Sequence, residues 1–247
     1  MRETALQEWL ADLEKRHLAD LTFAEVSRAL RALSSAYVER RASLAEGRAL
    51  EGAGKRAAFA LFYAPLHFMT VDRIVAALSP SRAPMLVDIG CGTGAAGAAW
   101  ADASSIRRVV GIDRSAWALG EAGRTYRQYD LAAQLKRADA ATIVLPKGPA
   151  AFLAAFTVNE LPEHARERLL TTLVERCRKG GQCLVVEPLA RFVAPWWQQW
   201  KDIFQSAGGR ADEWRFRVEL PPIVAKLDRA AGLDHRELTA RTLWLEG

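Results

Sequence analysis

Apolar residues recur at helical spacing through the first 80 positions of the chain. Leu6, Trp9, Leu10 and Leu13 share one face of a first helix. Thr22 and Glu25 have the capping-box spacing, and Phe23, Val26, Leu30, Leu33 and Tyr37 form the apolar stripe of a second helix. Three glycines in the stretch 47–56 predict a loop or hinge. An apolar helix over 57–69 follows, which Pro65 is expected to break or kink. A short helix, Val71 to Leu78, then leads into SPSRAP, where Pro80 and Pro84 mark a linker.

Beyond Pro84 the pattern changes. Short apolar runs at 85–90, 107–113, 133–138, 150–158 and 182–188 read as strands. Helical segments at 95–101, 115–128 and 162–181 separate them, the last with proline at its start and glycine past its end. Strands alternating with helices argue for a parallel sheet covered on both faces. Toward the end, 193–209 and 223–233 read as helices and 235–245 as a closing strand. The stretch 213–222 reads as a strand or an insertion. The expected organisation is an N-terminal helical domain over 1–80 and an α/β domain over 81–247.

Composition narrows the class. At 247 residues, with 50% apolar and 26% charged residues, the chain is neither a disordered polyelectrolyte nor a fibrous repeat. No apolar run approaches the roughly 20 residues that span a bilayer, and the longest, Ala150 to Val158, reads as a buried strand. The charged start MRETALQEWL is not a secretory signal, so no membrane partner is expected. Cys91, Cys177 and Cys183 show no CxxC or Cys/His spacing. That disfavours a disulfide framework or a structural metal site and points to a reducing cytoplasm. The net charge of +5 and pI of about 9.3 suit nucleic-acid binding, and suit codon bias in an Ala-rich chain equally well. Between 24 and 60, seven cations stand against four anions, a stripe suited to phosphates or to a solvated helix face.

The segment VDIGCGTGAAG (87–97) carries the chemistry. Placed between a strand and a helix, Gly90, Gly92 and Gly94 let the backbone turn tightly and approach a ligand. The following helix presents free N–H groups at the carboxyl edge of the sheet. Two cofactor classes compete. Gly92-x-Gly94-x-x-Gly97 satisfies the dinucleotide fingerprint. Asp88-Ile-Gly90-Cys-Gly92-Thr-Gly94 fits the S-adenosylmethionine loop, and Asp88 would favour that cofactor's cationic ammonium and sulfonium over a pyrophosphate.

Other candidates follow from position. Asp113, ending the second strand, can accept from both ribose hydroxyls, or else cap the turn before Ser115. Asp139, after the third strand, can accept the adenine amino group, or else sit in a solvated loop. Asn159 and Glu160 end the fourth strand and can hold a nucleophilic N–H or O–H, or else start the next helix. Glu187 ends the fifth strand on the same edge, with no sharper role visible. Cys91 reads as a small filler of the loop, without a basic neighbour to activate it. Tyr63 and His67 lie on the apolar helix before the first strand, facing the transferred methyl or packing helix to sheet. Trp196, Trp197 and Trp200 read as core or interface, with base stacking as the alternative.

With VDIGCGTG, the acid of GIDRS, the acid of RADA and TVNELP in order, residues 81–247 resemble the class I S-adenosylmethionine-dependent methyltransferases. The resemblance implies a Rossmann-like, mostly parallel seven-stranded sheet with an antiparallel last strand. It implies S-adenosylmethionine as cofactor and S-adenosylhomocysteine as product. Asp88, Gly90, Cys91, Gly92, Gly94, Asp113, Arg114, Asp139 and Ala140 would form the cofactor set, and Asn159, Glu160, His67 and Tyr63 the catalytic set. The longer series TFAEVSRALRALSSAYVERR, YAPLHF, VDIGCGTG, TVNELPEHARERLL and LVVEP also resembles methyltransferase-like proteins associated with assembly of the small ribosomal subunit. That implies RNA or the small ribosomal subunit as partner, with a small-molecule acceptor as alternative. Mitochondrial members carry a cysteine cluster that three scattered cysteines do not reproduce, so no metal is expected.

Overall fold

The computed structural model describes residues 2–39, 50–189 and 194–247. Arg40, Arg41 and Arg48 of the basic stripe lie outside the described residues, as do 47–49 of the glycine-rich stretch. The chain divides into two compact units, one formed by Met1–His67 with Arg217–Leu238, the other by Phe68–Phe216 with Thr239–Gly247. The expected boundary near 80 is therefore not where the contacts part, and a segment distant in sequence joins the N-terminal helices.

The first unit is helical. It contains α1 (Arg2–His17), α2 (Phe23–Glu39), the start of α3 (Ala53–Leu78) and α8 (Pro222–Ala230). The Thr22/Glu25 capping box forms: the Thr22 N–H donates to Glu25 Oε2 at 2.8 Å and the Glu25 N–H to Thr22 Oγ1 at 3.3 Å. Trp9, Leu13, Val26, Leu30, Leu33, Leu61, Phe62, Val224 and Leu227 are buried, so most of the helical stripes read from sequence supply this unit's core, whereas Phe23 of the second stripe is exposed.

α3 is where proline chemistry departs from expectation. Phe59–Tyr63 is a π-helical turn, in which the Ala64 N–H donates to the Phe59 carbonyl five residues back. This widening falls immediately before Pro65, whose ring conflicts with a regular turn. The helix therefore continues to Leu78 without breaking. Built of 26 residues, α3 is long and apolar enough by length and composition to cross a membrane, although no run in the sequence signals one. Its Ala57, Ala58, Leu61, Phe62, Val71 and Ile74 are buried within protein, as in a core helix.

The second unit is a seven-stranded sheet flanked by helices. Its elements are β1 (Leu86–Ile89), α4 (Ala95–Ala103), β2 (Arg108–Asp113), α5 (Ala116–Gln128), β3 (Ala132–Arg137) and β4 (Ala151–Ala155). α6 (Glu163–Arg178), β5 (Gln182–Glu187), α7 (Trp197–Ser206), β6 (Arg210–Arg217) and β7 (Glu237–Glu246) complete it. The strand order is β3-β2-β1-β4-β5-β7-β6. β1 pairs in parallel with β2 and β4, β2 with β3, and β4 with β5, while β7 runs antiparallel to β5. Residues 213–217 of the ambiguous stretch thus belong to edge strand β6, and the closing strand inserts between it and β5. β1 and β5 are buried along their whole length, as strands covered on both faces must be. β3 is exposed throughout, and Lys136 and Arg137 on it discourage further pairing.

Candidate active site at the carboxyl edge of the sheet

The carboxyl ends of β1, β2, β4 and β5 lie side by side because these strands are parallel neighbours. After β1 the chain turns through Gly90, Gly92 and Gly94, with φ of 67°, 52° and 78°. Such values favour glycine. A Cβ at Gly90 would lie 2.4 Å from Thr157, whose hydroxyl donates to the Gly90 carbonyl at 3.2 Å. This ties the β1 loop to the β4 turn. At Gly92 the space is open.

Asp88 departs from its expected role. Its side chain is 1% exposed, and it accepts the Tyr126 hydroxyl at 2.8 Å and the Gly97 N–H. A carboxylate sunk beneath the loop does not meet a ligand's cation. It acts instead as a cap on the first turn of α4, where helix N–H groups lack partners. Burial pushes its pKa up to about 7, against the pull of Tyr126. Gly97 is explained by the same contact, since a Cβ there would fall 2.2 Å from Asp88 Oδ2. Cys91 is buried among Asp88, Asp113 and Tyr126, and burial pushes its thiol well above the usual range, as befits a filler.

Asp113 stands at the mouth of the loop. Its Oδ2 accepts the Gly92 N–H at 2.9 Å and its Oδ1 the Ser115 N–H at 2.8 Å. Ser115 in turn caps α5 through the Ala118 N–H. The capping and ligand roles of Asp113 are compatible, because a carboxylate offers about four acceptor positions and two remain. Asp139 is exposed, and its Oδ1 accepts the Ala141 N–H at 2.8 Å. Ala140 is half-buried in that turn.

The β4 end is shorter and more sharply bent than expected. The strand stops at Ala155, and Phe156 turns with φ of 56°, a conformation bulky residues rarely adopt. Val158–Glu160 then forms one 3-10 turn. Buried Glu187 at the end of β5 holds that turn: its Oε1 accepts the Val158 N–H at 2.9 Å and the Asn159 N–H at 3.2 Å. Its Oε2 accepts Asn159 Nδ2, and Asn159 Oδ1 accepts the Trp196 indole N–H at 3.0 Å. Burial pushes Glu187 up to about 8, against the pull of the Asn159 and Val158 N–H groups. Glu160 reaches the surface, 40% exposed, 3.8 Å from the Arg114 guanidinium. Desolvation raises its pKa to about 7, Arg114 lowers it and Asp113 raises it.

Tyr63 and His67 are half-buried in the helical unit, where their rings pack with Phe59 at 5.9 Å each. These are contacts along one face of α3 itself and bear on neither role read from the sequence, facing the transferred methyl or packing helix to sheet. Burial holds His67 down to about 4, so its ring is neutral at pH 7. Among the described residues no cluster of metal-ligating side chains occurs. Sequence reasoning missed Tyr126, Thr157 and Trp196 as partners of the site. An isolated acid closing the apolar run CLVVE was the signal available for Glu187.

Residues 86–181 match the family model of a methyltransferase domain. Over that stretch the chain is similar to a methyltransferase domain. The methyl donor of such a domain is S-adenosylmethionine. No curated protein matches the sequence. Among solved structures, the methyltransferase domain of bacterial CtHen1-CN is similar at 14% identity over 73% of this chain and 99% of that one, with a TM-score of 0.51. The [4+2]-cyclase SpnF is similar at 17% identity over 72% and 80%, with a TM-score of 0.50. The N-methyltransferase NodS from Bradyrhizobium japonicum WM9, in complex with S-adenosylhomocysteine, shows 13% identity over 73% and 86%, with a TM-score of 0.49. At these identities the likeness is one of fold. The sheet differs from the all-parallel dinucleotide sheet in its β7, which lies between β5 and β6 and runs antiparallel to β5. Its residues fit the donor: an open glycine at 92 and a carboxylate at 113 with acceptor positions to spare suit a ribose diol.

Proposed function

We propose that the protein transfers the sulfonium methyl of S-adenosylmethionine to a nucleophilic nitrogen or oxygen, with RNA as the favoured acceptor. The observation that carries the reading is Asp113, bonded to the glycine loop through Gly92 and offering its remaining lone pairs at the sheet edge. When bound, the cofactor supplies an already activated methyl group. The chain's own residues bind and orient. Gly90 and Gly92 admit close approach of the backbone, Asp113 holds the ribose, and Asp139 with the Ala140 turn takes the adenine. Arg114 flanks this region. Asn159 accepts a hydrogen from the acceptor group, and the Glu160 carboxylate, 3.8 Å from Arg114, takes the proton lost after transfer. Positioning and exclusion of water supply most of the rate.

The RNA part of the reading rests on the net charge of +5 and a pI of about 9.3. We take the helical unit as its acceptor-recognition part; there Lys226 and Arg229 line a cavity of about 620 Å³ together with Glu14, Leu18, Phe23 and Ile223. The three free, buried cysteines suit the reducing cytoplasm in which we place the protein.

Calorimetric titration with S-adenosylhomocysteine, with NADH and FAD as controls, tests the cofactor. Selective binding of S-adenosylhomocysteine is expected, and selective binding of NADH or FAD would overturn the reading. Tritium transfer from labelled S-adenosylmethionine then compares small-subunit ribosomal RNA with small amines. Salt-sensitive RNA binding without transfer would instead support an assembly factor.

A further inference from the structure

Three chain segments converge on one carboxamide. The 3-10 turn after β4 carries Asn159, the end of β5 carries Glu187, and the segment before α7 carries Trp196. Glu187 is fully buried and Trp196 is 7% exposed, while Asn159 is half-buried and keeps contact with solvent. The partners assign the carboxamide without ambiguity. The indole N–H can only donate, so it marks Oδ1, which leaves Nδ2 to face Glu187. Glu187 also binds the backbone N–H groups of residues 158 and 159, immediately after the left-handed Phe156. One buried side chain thus secures both the turn and the group it carries.

We infer that Glu187 and Trp196 are positioning residues that lock the Asn159 carboxamide in a single orientation toward the methyl acceptor. The inference rests on the methyltransferase reading above. With these two bonds made, Asn159 keeps one Oδ1 lone pair and one Nδ2 hydrogen. The lone pair receives a hydrogen from the acceptor, which makes the acceptor a protic nitrogen or oxygen and excludes a thioether or a carbon nucleophile. A locked amide aims that acceptor without the entropy cost of ordering a free side chain.

Asn159 is the only asparagine in the 247 residues, so asparagine labelled with ¹⁵N on the side chain gives one NH₂ group in the full-length protein. Two inequivalent protons, exchanging slowly with solvent, are expected. Glu187→Gln presents an NH₂ to Asn159 Nδ2 and should speed exchange at least tenfold. Trp196→Phe keeps a ring, removes the indole donor and should speed it severalfold. The double variant Glu187→Gln with Asn159→Asp reverses donor and acceptor across the pair, and should regain most of the thermal stability lost by Glu187→Gln alone. Unchanged exchange in both single variants would overturn the lock.

S-adenosylhomocysteine titration of the same folded variants tests the acceptor-side placement. Affinity within about twofold of wild type is expected. A tenfold loss in Trp196→Phe would put the turn in the cofactor cradle and overturn that placement. Failure of the wild-type protein to bind S-adenosylhomocysteine would sink the parent reading and this role with it, while the exchange rates still report the lock.

Discussion

The Tyr126 hydroxyl donates to the Asp88 carboxylate at 2.8 Å, beneath a glycine loop that leaves Asp88 1% exposed. A carboxyl so placed keeps its proton to about pH 7, whereas the unfolded chain releases it near 3.8. Between those values the native state binds more protons than the unfolded state, so this group's contribution to stability falls as pH rises. Glu187 acts in the same direction, from 4.5 to about 8. Asp88→Asn should therefore flatten the lower part of the pH profile. Relative to wild type it should gain about 1–3 kcal/mol on going from pH 5 to pH 8, less than the full shift because pH 5 already lies above the unfolded-state value. Urea unfolding at both pH values measures this. Parallel profiles for the two proteins would contradict it.

Gly97 exists for the sake of Asp88. An alanine Cβ would meet the carboxylate oxygen at 2.2 Å, so Gly97→Ala should destabilise by about 2–4 kcal/mol in spite of alanine's better helix propensity. Gly120→Ala, in α5, has nothing within 4 Å and should instead stabilise by about 0.5–1 kcal/mol. Denaturant midpoints separate the two. Equal effects would mean that the contact with Asp88 is not what excludes a side chain at 97.

Asp113→Ala should lower S-adenosylhomocysteine affinity by at least tenfold, because it removes a ribose acceptor and frees the Gly92 N–H that orders the loop. Asp113→Asn keeps an oxygen for one of the two N–H groups and should lose less. Calorimetry on variants with wild-type circular dichroism provides the check, and unchanged affinity in Asp113→Ala would remove Asp113 from the cofactor set.

In the helical unit, Thr22→Ala breaks the capping box and should cost about 1 kcal/mol. Urea unfolding of the full chain reports it. Thr22→Ser, which retains the hydroxyl, should be close to neutral.

The sequence was most legible where local chemistry acts alone. The stripes of α1 and α2, the Thr22/Glu25 box, the apolar strands and the glycine turn all form where periodicity and capping rules place them. It was least legible where a distant partner decides. Pro65 signals a break, yet a π-turn beginning at Phe59 absorbs it. The run 150–158 looks like one long strand, yet Phe156 turns at the edge because Glu187, 31 positions further on, collects the next N–H groups.

Asp88 shows the same division. An acid before a glycine loop is a property of the sequence, and so is its presence at the end of a buried strand. Whether that acid faces a ligand or the backbone of α4 depends on Tyr126 and Gly97, which only the packed fold brings to it. Periodicity, turn glycines and caps are set by neighbours along the chain, so the sequence alone determined the elements and the likeness to a methyltransferase domain. Strand order, the antiparallel insertion of β7 and the orientation of the Asn159 carboxamide depend on burial and hydrogen bonds between distant segments, and only the tertiary structure decided them.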